Sequence, residues 1–370
     1  MTRTTSFDIL NLVRPDLRDL AAYEPVEPPD LKAARLGVPE GDVLKLDGNE
    51  NPFGPSPRAI EALRVETQYQ YYPDPAQTKL RERLAEYVGA SPDAIVAGAG
   101  SDELIDLVLR AIVTPGDAVI DCPPTFGMYA FLARVAGARV VEVPRREDFS
   151  VDLDGVAACA PEARAIFLAS PNNPTGNATP REEIERILDL GILVVVDEAY
   201  VEFADGSLTH EVAERENLVV LRTFSKWAGL AGLRVGYGVM APALARVLMR
   251  IKQPYNVSVP AQIAAVAALE DRELLMERVR AIVRERERLA ALLSEIPWVT
   301  VYPSSANFVL CRLAGRDARV VRDALARRGI FVRYFDRHPI ADCLRISVPA
   351  PGQSERVAQA LREAGETHGG

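Results

Sequence analysis

Between residues 78 and 240, short apolar runs alternate with amphipathic stretches, and no other feature restricts the possible folds so tightly. The runs at 94–97, 118–121, 139–143, 165–169, 192–196, 218–221 and 235–240 have the length and branched side chains of buried strands. Helical spacing of apolar residues fills 79–88, 101–112, 128–136 and 180–190. Strands apolar on both faces and separated by helices make a mainly parallel central sheet flanked by helices, so the expected class is α/β.

The texture changes after Pro254. Residues 261–296, rich in Ala, Leu, Glu and Arg, read as one or two long helices. A strand at 307–312, a helix at 318–328, strands at 330–334 and 344–348 and a helix from Glu355 read as a smaller α+β unit. Residues 1–45 are rich in Pro and charge around EPVEPPD, and read as an arm whose one ordered part is 14–23. The expected division is an arm at 1–45, a large domain at 46–260 and a small C-terminal domain at 261–370 that shares part of the arm.

A net charge of −9 argues against a general nucleic-acid partner. Cys122, Cys159, Cys311 and Cys343 are far apart, with no CxxC pair, and read as buried free thiols of a reducing compartment. With only His210, His338 and His368, no His-rich metal site is expected. There is no apolar run of spanning length and no signal-peptide layout in MTRTTSFDIL, so the expected location is the cytoplasm, without a membrane.

The chemistry concentrates in NLVVLRTFSKWAGLAGLRVGYGVM, residues 217–240, where a buried strand delivers Thr223, Ser225 and Lys226, and Arg234 follows eight residues after the lysine. A partly desolvated lysine condenses with aldehydes, and two hydroxyls with an arginine hold a phosphate dianion. That combination seats an aldehyde carrying a phosphate, pyridoxal 5'-phosphate; the plainer alternative is a surface loop with a solvated Lys and Arg. Asp197 closes the buried valines 194–196, where an uncompensated carboxylate is costly, so it faces a cation or a site, with a buried structural arginine as the competing explanation. Opposite a pyridine nitrogen it would keep the ring protonated as an electron sink, with Tyr200 donating to the ring's 3-oxygen.

GAGSDE, residues 98–103, lies between a strand and a helix, with Ser101 as N-cap and Asp102 and Glu103 in the first turn. It reads as a phosphate cradle, as half a dinucleotide fingerprint lacking its third glycine, or as a tight turn. SPNNPTG, residues 170–176, ends a strand at the ligand-binding edge of an open sheet or is a polar turn. Arg333 and Arg345 follow apolar strand residues and so point to planar anions or to inter-domain ion pairs. The tyrosines at 69, 71 and 72 mark an interface or a ligand wall.

The ordered series DGNENPFGPSP, YYPDP, GAGSDE, SPNNPTGN, VVVDEAY, TFSKWAGLAGLRVGYG, SSANFVL and CLRISV resembles the fold-type-I pyridoxal-phosphate aminotransferases of class I/II. Within them it is most similar to the histidinol-phosphate aminotransferase branch, from about Arg14 to the C-terminal helix. The resemblance implies Lys226 as the lysine bound to the cofactor and the proton shuttle, and Asp197 on the pyridine nitrogen. It further implies Asn173 and Tyr200 on the 3-oxygen, Phe126 stacked on the ring, and Ser101, Asp102, Thr223, Ser225 and Arg234 around the phosphate. Tyr72 would reach the phosphate in a neighbouring subunit of a homodimer with shared active sites. Arg333 and Arg345 would bind the substrate's anionic ends, with Tyr23 and Asn49 closing the pocket. The implied activity is transamination between histidinol phosphate and 2-oxoglutarate/glutamate in histidine biosynthesis. Competing readings are an aromatic amino acid aminotransferase on the same scaffold and a non-catalytic pyridoxal- or nucleotide-binding protein.

Overall fold

The computed structural model describes residues 7–366, so His368 and the first six residues of the arm lie outside the described residues. The chain enters through β1 (Leu44–Leu46), which belongs to the second of two sheets. It then lays down the first sheet as β2 (Ile95–Gly98), β3 (Ala118–Asp121), β4 (Arg139–Glu142), β5 (Ala163–Ala169), β6 (Leu193–Asp197), β7 (Leu218–Thr223) and β8 (Gly236–Met240). Their spatial order is β2-β8-β7-β6-β5-β3-β4. Pairing is parallel from β7 to β4, and only β8 runs against both of its neighbours. Residues 224–235, between β7 and β8, contain no crossover helix, so the chain must return antiparallel.

Both faces of this sheet are buried. Along β6, Val194 and Val196 join one apolar cluster while Val195 joins the cluster on the opposite face. The period-2 alternation of a strand thus feeds two cores, which is why these runs carry no polar face. Helices Thr78–Val88, Ser101–Ile112, Met128–Val135 and Arg181–Leu188 lie near the expected positions, and the fold is the expected α/β type.

The second sheet has the order β1-β11-β12-β10-β9, built from β9 (Val299–Val301), β10 (Phe308–Leu313), β11 (Ile330–Tyr334) and β12 (Cys343–Ser347) with β1 parallel to β11. It has its own core, including Val309, Leu325, Leu344 and Leu361. The helix Arg272–Ser294 spans the two: Leu275, Val279 and Ile282 pack in the first core, and Leu289 and Leu293 in the second.

Three local points depart from expectation. The arm is ordered well beyond 14–23, because EPPD starts the helix Pro29–Leu36; proline at the first helical position loses no hydrogen bond, and Gly37 at φ 68° ends the helix. Ala33 of that helix packs with Ala326 and Phe331. Helices Leu153–Cys159 and Pro242–Ile251 and strands β1 and β9 went unread; Leu153–Cys159 and the two strands are short, whereas Pro242–Ile251 is amphipathic and opens on a proline, a signal that the sequence did carry. Cys159 is half-buried whereas the other three thiols are buried, and the stretch 261–296 is two helices, Val259–Glu270 and Arg272–Ser294, as expected. Among the described residues no helix is long and apolar enough to cross a membrane.

Candidate active site

A cavity of about 210 Å³ opens at the carboxyl edge of the first sheet, where β5, β6 and β7 hand the chain to their loops. Asp197 and Thr223 line it from the ends of β6 and β7, Asn173, Tyr200, Ser225 and Lys226 from the segments that follow β5, β6 and β7, and Ser101 and Asp102 from the first turn of the helix Ser101–Ile112. Asn49 and Tyr23 close it from the N-terminal side, and Arg345 enters from β12 of the second sheet.

Lys226 lies three residues past the end of β7, and its Nζ donates to the carbonyl of Gly48 at 3.1 Å. Burial, and next the guanidinium of Arg345, lower its amine to about pKa 8. Asn51 Nδ2 donates to the carbonyls of Lys226 and Trp227 at 3.0 and 2.9 Å, fixing the turn that carries the amine. Asp197, only 4% exposed, accepts from the Tyr129 hydroxyl at 2.8 Å and from the Ala199 N–H at 3.0 Å. Burial pushes its carboxyl up to about 6 despite these two donors. It has no basic partner among the described residues; the neighbouring Glu198 takes the buried arginine instead, with Arg222 Nε at 3.0 Å.

The loop after β2 differs from expectation in one respect. Gly100, at φ 81°, occupies the N-cap, and Ser101 is the first helical residue. The serine therefore does not cap the helix with its side chain. Glu103 folds back instead and accepts from Ala99 N–H. Its φ of 81° favours glycine, and a Cβ there would also push the Arg234 guanidinium, 2.5 Å away, out of place. Arg234 donates to Asp102 at 3.0 Å, and the Thr223 hydroxyl donates to Ser225 Oγ at 2.8 Å. Hydroxyls and a guanidinium thus converge beside the N-terminus of a twelve-residue helix, a seat for a phosphate.

On the substrate side Arg345 is buried, donates to Asn173 Oδ1 at 2.6 Å and to the Asp47 carbonyl, and leaves Nε without a partner. Tyr200 accepts from Asn49 Nδ2 at 3.0 Å, which leaves its own hydrogen free to donate. Phe126 lines the cavity, edge-on to Tyr129 at 5.5 Å and to Tyr23 at 6.4 Å. Two of the expected residues do not reach the cavity. Arg333 pairs in register with Arg345, but its guanidinium turns to the Glu24 carbonyl at 3.0 Å. Neither arginine forms an ion pair among the described residues. Tyr72 is 79% exposed and stacks on Tyr255 at 4.3 Å.

Tyr129, Gly48, Glu50 and Asn51 were missed. Tyr129 sits in the apolar helix MYAFLARV, where nothing in the local pattern marks a polar task. The other three lie in DGNENP, whose role shows only when Gly48 and Asn51 meet the lysine turn. Pyridoxal phosphate fits what is present: a buried carboxylate lacking a cation, an amine of lowered basicity, and a hydroxyl–guanidinium cluster at a helix N-terminus.

Comparison with known proteins gives the family. A family model described as aminotransferase class I and II matches residues 41–363. A Roseiflexus castenholzii protein named histidinol-phosphate aminotransferase is 53% identical, over 96% of this chain and 98% of its own. An Arabidopsis thaliana protein named histidinol-phosphate aminotransferase 1, chloroplastic, is 45% identical over 95% of this chain and 86% of its own. The crystal structure of histidinol-phosphate aminotransferase from Sinorhizobium meliloti in complex with pyridoxal-5'-phosphate superposes with a TM-score of 0.88 at 30% identity, covering 96% of this chain and 98% of that one. By this match over most of its length, the chain belongs to the class I and II aminotransferases, enzymes that depend on pyridoxal phosphate.

Proposed function

We propose that the chain transfers the amino group of L-histidinol phosphate to 2-oxoglutarate, giving imidazole acetol phosphate and L-glutamate, in L-histidine biosynthesis. The observation that carries this reading is Arg345, a buried guanidinium with an unpartnered Nε and no carboxylate partner among the described residues. Beside Asn173 it offers a planar cationic anchor that serves both a phosphate monoester and a dicarboxylate. Relatives sharing about half of the residues carry the corresponding name.

When bound, pyridoxal phosphate supplies an aldehyde for the amine and a protonated ring that withdraws electrons as the substrate's Cα–H bond breaks. Lys226 takes the Cα proton and returns it one position away; an amine near pKa 8 is neutral often enough to do so at physiological pH. Asp197 holds the pyridine nitrogen in its protonated form, and Tyr129 and the Ala199 N–H keep the carboxylate oriented. Ser101, Asp102, Thr223, Ser225 and Arg234 seat the phosphate, Phe126 covers a face of the ring, and Tyr200 with Asn173 holds the 3-oxygen. Tyr23 and Asn49 exclude water from the closed cavity.

The enzyme works as a homodimer in the cytoplasm, with Tyr72 of a second copy completing each phosphate site. Exposed Tyr69, Tyr71, Tyr72 and Tyr255 support the first point, and four unpaired cysteines the second. Arg333 takes its place at the anion site only if its bond to the arm is released. The test is the half-reaction of the yellow holoenzyme with L-histidinol phosphate, L-glutamate and L-phenylalanine, followed by absorbance. Rapid conversion by the first two and far slower conversion by phenylalanine is expected. A phenylalanine rate at or above that of histidinol phosphate would move the assignment to an aromatic aminotransferase.

A further inference from the structure

Tyr200 can hold the cofactor's 3-oxygen only if its hydroxyl hydrogen points into the cavity, and a chain of hydrogen bonds from the second sheet sets that direction. Ser347 ends β12, two residues after Arg345 and therefore on the same face of the strand. It is 2% exposed, and among the described residues its hydroxyl bonds only with Asn49. Oγ accepts from the Asn49 N–H at 2.9 Å and donates to Asn49 Oδ1 at 2.9 Å. Asn49 Nδ2 in turn donates to the Tyr200 oxygen at 3.0 Å.

The serine decides which way round the amide lies. A serine hydroxyl has one hydrogen, and the only acceptor that this one meets among the described residues is Asn49 Oδ1. With the amide reversed, Oγ would accept from both nitrogens of Asn49 and its own buried hydrogen would lack a partner, a condition that protein interiors avoid. The amide nitrogen is thereby turned to Tyr200. The phenol oxygen is then occupied as an acceptor, and its hydrogen is left for the cavity that the side chain lines. Asn49 is held on its backbone as well. Its φ of 55° lies in the left-handed region, which asparagine tolerates better than most residues, and its carbonyl accepts from Asn307 Nδ2 at 3.0 Å.

We propose that Ser347 is a positioning residue for the cofactor's 3-oxygen: by fixing the Asn49 amide it directs the Tyr200 hydrogen toward that oxygen. This role presupposes that Tyr200 holds the 3-oxygen. Without the serine hydroxyl the amide is free to turn its own oxygen to Tyr200 and draw the hydrogen away. The strand that presents Arg345 to the anionic end of the substrate thus also orients the donor on the cofactor ring.

The experiment follows the pH midpoint at which the near-visible band of the holoenzyme is lost, in the wild type, Ser347→Ala, Tyr200→Phe and the double variant. A hydrogen bond donated to the 3-oxygen spreads its negative charge, so the adjacent cofactor-linked lysine nitrogen gives up its proton more readily; losing that bond raises the midpoint. Ser347→Ala should raise it by about 0.5–1 unit and Tyr200→Phe by at least as much. In the Tyr200→Phe background Ser347→Ala should add nothing, because the serine acts through the phenol. Ser347→Thr keeps the hydroxyl and should keep the wild-type midpoint. A Ser347→Ala midpoint within about 0.2 unit of the wild type, or the same shift with and without the phenol, overturns the proposal. A Tyr200→Phe midpoint equal to that of the wild type overturns the assignment of Tyr200 itself, whatever Ser347 does. Should Ser347→Ala fail to retain the cofactor, Asn49→Asp gives the same comparison, since a carboxylate can only accept from Tyr200. A rise larger with the phenol than without it supports the relay, and an equal rise overturns it.

Discussion

At the residue scale the site depends on two groups that burial drives toward their neutral forms. Asp197 is raised to about 6 and Lys226 lowered to about 8. In the cofactor-free protein the folded Asp197 keeps its proton up to about pH 6, whereas the unfolded chain releases it near 3.8. The folded state thus holds more protons between these values, and stability falls as pH rises from about 4 to about 6, on the order of 2–3 kcal/mol in all. Asp121 and Glu202, which burial raises to about 7, add declines of the same sign, so Asp197→Asn should remove only its own share in thermal melts of the apoprotein, while pyridoxal phosphate should stabilise the wild type more above pH 6 than below it. A pH dependence in the variant identical to that of the wild type would show that Asp197 contributes nothing to it. Lys226→Ala removes the proton shuttle and should cost at least 10²- to 10⁴-fold in transamination, roughly the value of general acid–base catalysis alone. Tyr129→Phe leaves Asp197 with one donor fewer and should lower kcat/KM by about tenfold, since hydrogen bonds to charged groups contribute roughly 1.5–3 kcal/mol; an unchanged value would mean that the bond to Tyr129 is not needed to orient the carboxylate.

At the element scale, the strand ends set the spacing of the site from behind. Glu198 and Arg222, 2% and 7% exposed, pair across β6 and β7 on the face opposite Asp197, and Ser207 and the Leu208 N–H fill the remaining acceptors of Glu198. Removing one partner of a buried pair strands the other, so Glu198→Ala should destabilise by about 3–5 kcal/mol in urea unfolding. A loss below about 1 kcal/mol would show that Glu202, 3.7 Å from Arg222, takes over the pairing. Gly236 is equally constrained, since a Cβ would meet the Ser101 nitrogen at 2.7 Å. The parallel sheet and both motif-bearing turns could be read from sequence because apolar runs and local turn residues are short-range signals. The reversal of β8, the partnership of β1 with β11 and the role of Tyr129 could not, because each is decided by residues far away in the chain. The same holds for Arg333: its strand was visible, but the arm carbonyl that captures it was not. Proline misled the reading of the arm, since EPPD opens a helix as readily as it breaks one.

At the scale of the whole molecule, the second sheet contributes Arg345 to a cavity otherwise built by the first, so movement between the sheets would change the anion site directly. The exposed tyrosines around Tyr72, together with Phe7, Ile9, Leu10 and Leu12 of the arm, leave apolar area that a second copy would cover. Sedimentation should accordingly give a dimer. Mixing inactive Lys226→Ala with Tyr72→Ala should restore part of the activity through hybrid sites, and failure of every mixture would argue against shared sites. The central claim is that Lys226 is the lysine joined to the cofactor, with the rest of the cavity arranged about it. Borohydride reduction of the holoenzyme followed by peptide mapping tests it most directly. The account predicts pyridoxyl label on the peptide containing Lys226 and loss of the near-visible absorption band; label on Lys32, Lys45, Lys79 or Lys252 instead, or a band that survives in Lys226→Ala, would contradict it.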